Sequence, residues 1–285
     1  MNSLIIDLLM QKYKSKIKYI GMQSEIINQV KAVINGSWPD DDRLFAVEGI
    51  WALEKLIKSD IRVNALIFCP EYAFSDQALS LADLIINRTG QVYIVSQRVF
   101  QKLSERDKPD GLICIGEFPT YDIKRLKLKE NAVVAVLDGL EKPGNIGTIL
   151  RTCDGSGVDA VLICNKKSRI TNAKLIKASM GSAFFIPIIE FKNVDACIEW
   201  LTSQGFCMYL ADSGGDKTYK CYTYTGKSAL VLGSERYGLS KEWYSIRPNL
   251  LSIPMLGICD SLNVGTAASI ILYEICLQQQ MEYNI

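Results

Sequence analysis

The sequence predicts a two-part α/β protein, and three observations carry that reading. Apolar runs at 44–47, 63–68, 92–95 and 112–115 alternate with helical segments, the pattern of a sheet covered on both faces. A charged stretch at 117–131, EFPTYDIKRLKLKEN, interrupts the alternation and reads as a linker. A second series of apolar runs then carries three loops rich in Gly, Asn and Ser, each directly after an apolar strand. The expected division is an N-terminal part over 1–118, a linker over 119–130 and a C-terminal domain over 131–285.

Taken in order, residues 1–35 read as mainly helical. Ser24 stands where it can cap a helix through Val33, and Asn35-Gly36 followed by Pro39 and Asp40–Asp42 ends it. Strand 44–47 leads to helix 51–58, strand 63–68 to helix 76–87, and strand 92–95 to a short helix 98–104 before strand 112–115. That length suffices for a domain with its own core. The second series reads as strand 133–137, helix 147–155, strand 160–163, helix 173–180, strand 185–189 and helix 194–203. Strands 207–211, 228–232 and 253–254 follow, then a final helix over 266–277.

Composition excludes several chemistries. The 285 residues are 48% hydrophobic and 22% charged, the mix of a soluble globular protein. The apolar runs are too short to span a bilayer, and the N-terminus has no basic region ahead of its apolar residues. Nine cysteines without a CxxC pair suit reduced thiols and a cytoplasmic setting. Histidine is absent, which removes Ser-His-Asp and Cys-His catalysis and every His-ligated metal, so metal-free chemistry is expected. Net charge is only +1. Local basic clusters remain at Lys12, Lys14, Lys16 and Lys18, interleaved with Tyr13 and Tyr19, and at Lys124, Arg125, Lys127 and Lys129; each is either a solvated face or an RNA contact.

The three loops share one logic. Pro143-Gly144-Asn145 leads from strand 133–137 to Gly147 and a helix carrying Arg151. Gly233-Ser234-Glu235 and Gly238 follow strand 228–232, and Gly257, Asp260, Ser261, Asn263 and Gly265 follow Pro254. Ligands of α/β sheets sit beyond the carboxyl ends of strands, so the loops are expected to converge on one pocket. A dinucleotide fingerprint and a Walker P-loop both fail on spacing.

These motifs resemble, in order, the three motifs of the SpoU/TrmH family of S-adenosylmethionine-dependent RNA 2′-O-ribose methyltransferases of the SPOUT class. The matching residues are Pro143-Gly144-Asn145-Ile146-Gly147 with Arg151, Leu232-Gly233-Ser234-Glu235 with Gly238-Leu239, and Ile253-Pro254-Met255 with Ser261-Leu262-Asn263-Val264. The stretch 177–187, KASMGSAFFIP, resembles the segment between the first two motifs. Phe45-Ala46-Val47-Glu48-Gly49 and Pro109-Asp110-Gly111 are similar to the ribosomal-protein-like RNA-binding domain of rRNA-modifying members, including the thiostrepton-resistance methyltransferases. Gly265 stands where a second serine is frequent, and Lys177 where arginine is common.

The resemblance implies a SPOUT-type α/β domain with a deep trefoil knot, preceded by a smaller α/β RNA-binding domain, in a homodimer with its active site near the interface. It implies S-adenosylmethionine held around Leu232, Gly233, Ser234, Ile253, Met255 and Leu262, with Arg151, Asn145, Ser261, Asn263 and Glu235 as the catalytic set. Arginine stays protonated, so Arg151 is assigned positioning and oxyanion stabilisation rather than base catalysis. Glu48, Lys12, Lys14 and Lys16 are the RNA-contact candidates. Structural alternatives stand beside these: a helix cap for Asn145 or Ser261, a dipole partner for Glu48 and a loop tie for Glu235. The expected activity is rRNA 2′-O-methylation, most simply of 23S rRNA. The alternatives are a tRNA ribose methyltransferase and a non-catalytic RNA-binding protein.

Overall fold

The computed structural model describes residues 2–36, 43–215, 217–246 and 248–283; Pro39 and Asp40–Asp42 lie outside the described residues. The chain forms two compact units, Met1–Pro119 with Ile170–Ile176, and Thr120–Arg169 with Lys177–Ile285.

The first unit begins with α1 (Asn2–Lys12), β1 (Ile17–Tyr19), α2 (Glu25–Ile34), β2 (Leu44–Glu48) and α3 (Ile50–Lys58). It continues through β3 (Arg62–Phe68), α4 (Asp76–Arg88), β4 (Val92–Ile94), α5 (Gln97–Phe100) and β5 (Leu112–Glu117). Its five-stranded sheet is ordered β1-β4-β3-β5-β2, parallel on the β1 side and antiparallel where β5 pairs with β3 and β2. Two expectations change here. Residues 17–19 are an edge strand in register with Val92–Ile94, not helix. Pairing on an available sheet edge outweighs local propensity, and Lys16 fastens the segment by donating from Nζ to the carbonyls of Ile86 (2.9 Å) and Thr89 (3.1 Å). Helix α5 stops at Phe100 rather than Ser104, whose hydroxyl turns to the Glu48 carboxylate at 2.5 Å.

The second unit contains β6 (Val133–Asp138), α6 (Pro143–Ser156), β7 (Ala160–Cys164), α7 (Ala173–Ala178, whose first residues belong to the first unit) and β8 (Ile188–Glu190). Then come α8 (Val194–Ser203), β9 (Cys207–Ala211), β10 (Lys217–Thr218), β11 (Ser228–Gly233), β12 (Asn249–Ser252) and α9 (Val264–Tyr283). The seven strands are ordered β10-β12-β9-β11-β6-β7-β8, and their pairings are parallel throughout. Strands β6, β7 and β11 are buried on both faces, as a parallel sheet requires, which explains runs such as VVAVL and ALVL without polar alternation.

Strand β12 ends at Ser252, so the strand expected at 253–254 is displaced upstream. Pro254 has no N–H to give a ladder. Likewise β8 starts at Ile188, because Ser182–Phe184 forms a 3₁₀ turn and Pro187 follows. Helix α6 starts at Pro143, four residues before Gly147; proline at the first helical position loses no hydrogen bond. Helix α9 outruns the expected 266–277 at both ends. The stretch read as linker is packed: Tyr121, Ile123, Leu126 and Leu128 lie against the core of the second unit.

Helices α6 and α9 pack closely, which places two of the three motif loops. Thr152 and Ser269 hydroxyls meet at 2.7 Å. A side chain at Gly265 would stand 3.1 Å from the Thr148 methyl, so glycine in place of the frequent serine suits this crossing.

Candidate active site

Strands β6, β11 and β12 all end at the same edge of the parallel sheet, and their following loops meet there. The β11 loop is tied by its own hydrogen bonds. Ser234 and Gly238 exchange backbone hydrogen bonds of 3.0 and 2.9 Å, and the Ser234 hydroxyl accepts from the backbone N–H of Arg236 (3.2 Å) and Tyr237 (3.3 Å). A Cβ on Gly233 would lie 2.5 Å from the Gly238 carbonyl carbon, so the turn requires glycine there.

Glu235 projects from this loop and joins all three motifs. Its carboxylate accepts from the Asn145 amide at 3.0 Å and the Asn263 amide at 2.7 Å, and pairs with Lys142. Asn263 also donates to the Asn145 carbonyl oxygen at 3.2 Å. The Lys142 ammonium holds the Glu235 carboxyl below its usual value. A carboxyl depressed in the folded state contributes stability that is fully present above the unfolded value, 4.5, and lost as pH falls through the folded one. Wild type should therefore melt above Glu235→Gln at neutral pH, and melting curves at descending pH should show that gap closing below about pH 4.5. A gap independent of pH would detach the tie from ionisation.

The helix-cap alternatives resolve differently from expectation. The residue preceding α6 is Lys142, so Asn145 sits inside the first turn and is no cap. At α9 the capping bond comes from Asn263, whose Oδ1 accepts the Gly265 N–H at 2.9 Å; Ser261 lies exposed two residues earlier. Ser261, Asn263 and Glu235 line one cleft of about 800 Å³ together with Leu232, Gly233, Ser234, Ile253, Met255 and Leu262. Asn145 lies in a smaller adjoining cleft of about 270 Å³ that shares Lys142, Ser234 and Glu235. Arg151 lines neither. It is exposed on α6, and its side chain makes no hydrogen bond or ion pair among the described residues.

The larger cleft suits a ligand with an apolar flat part and a charged polar part. Leu239, Leu251, Ile253 and Met255 supply apolar walls, while Asp212, Ser213, Asp260 and Ser261 supply acceptors and hydroxyls.

Two supporting residues escaped the sequence reading. Lys142 precedes the first motif, and only the fold brings its carboxylate partner, Glu235, beside it. Asp138 is the last residue of β6, one beyond the strand expected at 133–137, and only 2% exposed. Its carboxyl oxygens accept from Asn165 (2.8 Å), the Ser240 N–H (2.8 Å) and the Trp243 indole (3.2 Å), anchoring the far end of the β11 loop. An acid closing an otherwise apolar strand was the available signal.

In the first unit, Lys12 is exposed but pairs with Asp83 at 2.8 Å, and Lys16 caps α4; Lys14 and Lys18 are exposed and make no ion pair among the described residues. Glu48 is not placed against its helix N-terminus. It accepts from Ser104 and the Glu105 N–H, and burial raises its carboxyl above the usual value.

Comparison with known proteins agrees with the motif reading. Residues 132–273 match the model of the SpoU rRNA Methylase family, and residues 40–114 match an MRM3-like substrate binding domain. The chain is 26% identical over 240 residues to the 23S rRNA (uridine(2479)-2′-O)-methyltransferase of Streptomyces viridochromogenes, covering 82% of this chain and 83% of that one. It is 35% identical over 168 residues to a putative TrmH family tRNA/rRNA methyltransferase of Staphylococcus aureus, covering 58% of this chain and 68% of the relative. Among solved structures, the AdoMet-bound rRNA methyltransferase from Sinorhizobium meliloti superposes with a TM-score of 0.81 at 25% identity, over 91% of this chain and 97% of that one. With three motif loops meeting at Glu235 on a sheet of this topology, and with these relatives, the chain belongs to the SpoU/TrmH family of RNA methyltransferases.

Proposed function

We propose that this protein transfers a methyl group from S-adenosylmethionine to a ribose 2′-oxygen of rRNA, most simply 23S rRNA, in the cytoplasm. The observation that carries the reading is the Lys142–Glu235–Asn145–Asn263 network, which joins the three motif loops at the rim of the larger cleft. Leu232, Gly233, Ser234, Ile253, Met255 and Leu262 line that cleft and would hold the cofactor, which supplies an already activated methyl group. The protein then has to align the 2′-oxygen and stabilise charge developing on it. We assign the alignment to Asn145, Asn263 and Ser261 and the charge stabilisation to Arg151, with Glu235 fixing both amides.

A second copy completes this reading. Arg151 lines neither cleft of its own chain, while Leu256, Ile258, Tyr273 and Leu277 are exposed apolar residues of the same unit. We read them as part of a homodimer face that brings Arg151 into an active site. The insertion of β12 between the earlier strands β9 and β10 supports the expected knot, with residues 253–283 as its threaded end. The division into a substrate-binding part over 1–118, a connecting segment over 119–130 and a methyltransferase part over 131–285 belongs to the same proposal. No group of acidic or cysteine side chains among the described residues is arranged to hold a metal, and no helix of the described residues is long and apolar enough to cross a membrane.

Labelled S-adenosylmethionine offered with total rRNA and, separately, total tRNA tests the activity. Label in rRNA that protects one nucleotide linkage from alkali is the expected result. Label only in tRNA would move the substrate to tRNA, and no label together with no cofactor binding by calorimetry would leave a non-catalytic RNA-binding protein.

RNA contact by the first unit has its own test. Lys14 and Lys18 are the exposed members of their cluster that make no ion pair among the described residues, so Lys14→Ala with Lys18→Ala should reduce the slope of log affinity against log salt by about 0.7–0.9 per lysine. Lys16→Ala should lower the melting temperature instead, since two carbonyls at the end of α4 lose their donor. An unchanged slope in the double variant would remove this cluster from the interface.

A further inference from the structure

We propose that Tyr237 is the stacking platform for an unpaired base of the RNA substrate, an inference that rests on the RNA methyltransferase reading. Tyr237 is 68% exposed, the most exposed aromatic side chain among the described residues of the second unit. Its ring is not there to fill a core. It makes no side-chain hydrogen bond among the described residues, and the Arg236 guanidinium lies over the ring at 5.1 Å from its centroid. With one face covered by a cation, the remaining exposure is open to a second flat partner.

The loop that presents the ring is closed by its own hydrogen bonds. Ser234 and Gly238 close it with two backbone hydrogen bonds, and the Ser234 hydroxyl holds the Tyr237 N–H itself at 3.3 Å. A platform on such a loop loses little conformational freedom when a base settles on it. The position is also apt. Glu235 and Gly238, on either side of Tyr237, line the larger cleft, and Arg236 lines the smaller one with Asn145. A base stacked on Tyr237 therefore rests beside the network that fixes the proposed methyl-transfer site. Sequence-specific RNA recognition favours unstacked bases laid on aromatic rings and guanidinium planes, and Tyr237 with Arg236 provides both. Other exposed aromatics of this unit are less suited: Tyr244 lines the larger cleft but is tied to Asp212 at 2.5 Å, and Tyr273 and Phe185 line neither cleft.

The test uses the full chain and a 23S rRNA transcript, with Tyr237→Phe, Tyr237→Leu and Tyr237→Ala beside wild type. Methyl-transfer kinetics, filter retention of the transcript, S-adenosylmethionine affinity and melting temperature are measured for each. The phenylalanine variant should match wild type, while leucine and alanine raise KM and weaken retention by about 10- to 100-fold. Cofactor affinity and melting temperature should stay constant, separating stacking from a folding defect. Retention by leucine equal to that by phenylalanine, or a KM unmoved by alanine, overturns the proposal. If wild type transfers no methyl group to the transcript, the activity reading fails; the retention ratio of phenylalanine to leucine still decides the stacking.

Discussion

Replacing Arg151 with alanine should lower the rate of methyl transfer by about 10²- to 10³-fold, the usual cost of deleting one preorganised group from developing negative charge. The prediction is sharp because Arg151 has no intramolecular work. It is exposed, forms no ion pair among the described residues, and its helix is held by other positions: Ile146, Ile149, Leu150 and Cys153 are buried. Melting temperature should stay within about 2 °C, since exposed substitutions of this kind change stability by less than about 0.5 kcal/mol. S-adenosylmethionine affinity should persist, because the residue lies outside the cleft assigned to it. Arg151→Lys keeps the charge but loses the planar fork, and intermediate activity is expected. Wild-type kcat in Arg151→Ala would transfer the charge-stabilising role elsewhere, with Lys142 the next cation to examine.

The largest stability effect should come from Asp138→Ala. The Trp243 indole is fully buried, and it shares one Asp138 oxygen with the Ser240 N–H. Without that oxygen two donors are left unpaired, at about 1–3 kcal/mol each. A loss of about 3 kcal/mol is expected, or about 6–12 °C of melting temperature for a unit of this size. Asn165 is exposed and can turn to water, so it adds little. Asp138→Asn retains one acceptor and should lose about 1 kcal/mol. Urea unfolding followed by circular dichroism distinguishes the two. Equal losses for both variants would mean that the charge or the second acceptor oxygen of the carboxylate, rather than one acceptor of the right shape, matters at this position. Activity should fall in parallel with stability, because Ser240 ends the loop that carries Glu235.

The sequence by itself determined most of the alternation of strands and helices, since short valine-rich runs such as VVAVL, bounded by turn residues, favour a strand buried on both faces. It also placed the three loops, because glycine, asparagine and proline act through local backbone geometry that needs no tertiary partner. The order of the motifs was legible for the same reason. Only the tertiary structure decided what those residues touch. Residues 17–19 became a strand because β4 offered an edge, and the strand expected at 253–254 moved upstream where N–H groups could complete a ladder. Lys142 and Asp138 acquired their roles from Glu235 and Trp243, 93 and 105 residues away. Such pairings depend on chain segments that meet only after folding, and no local pattern encodes them. The separation of Lys12 and Lys16 from Lys14 and Lys18 follows the same rule: four alternate lysines look equivalent in sequence, and helix α4 divides them by offering Asp83 and two free carbonyls to one pair alone.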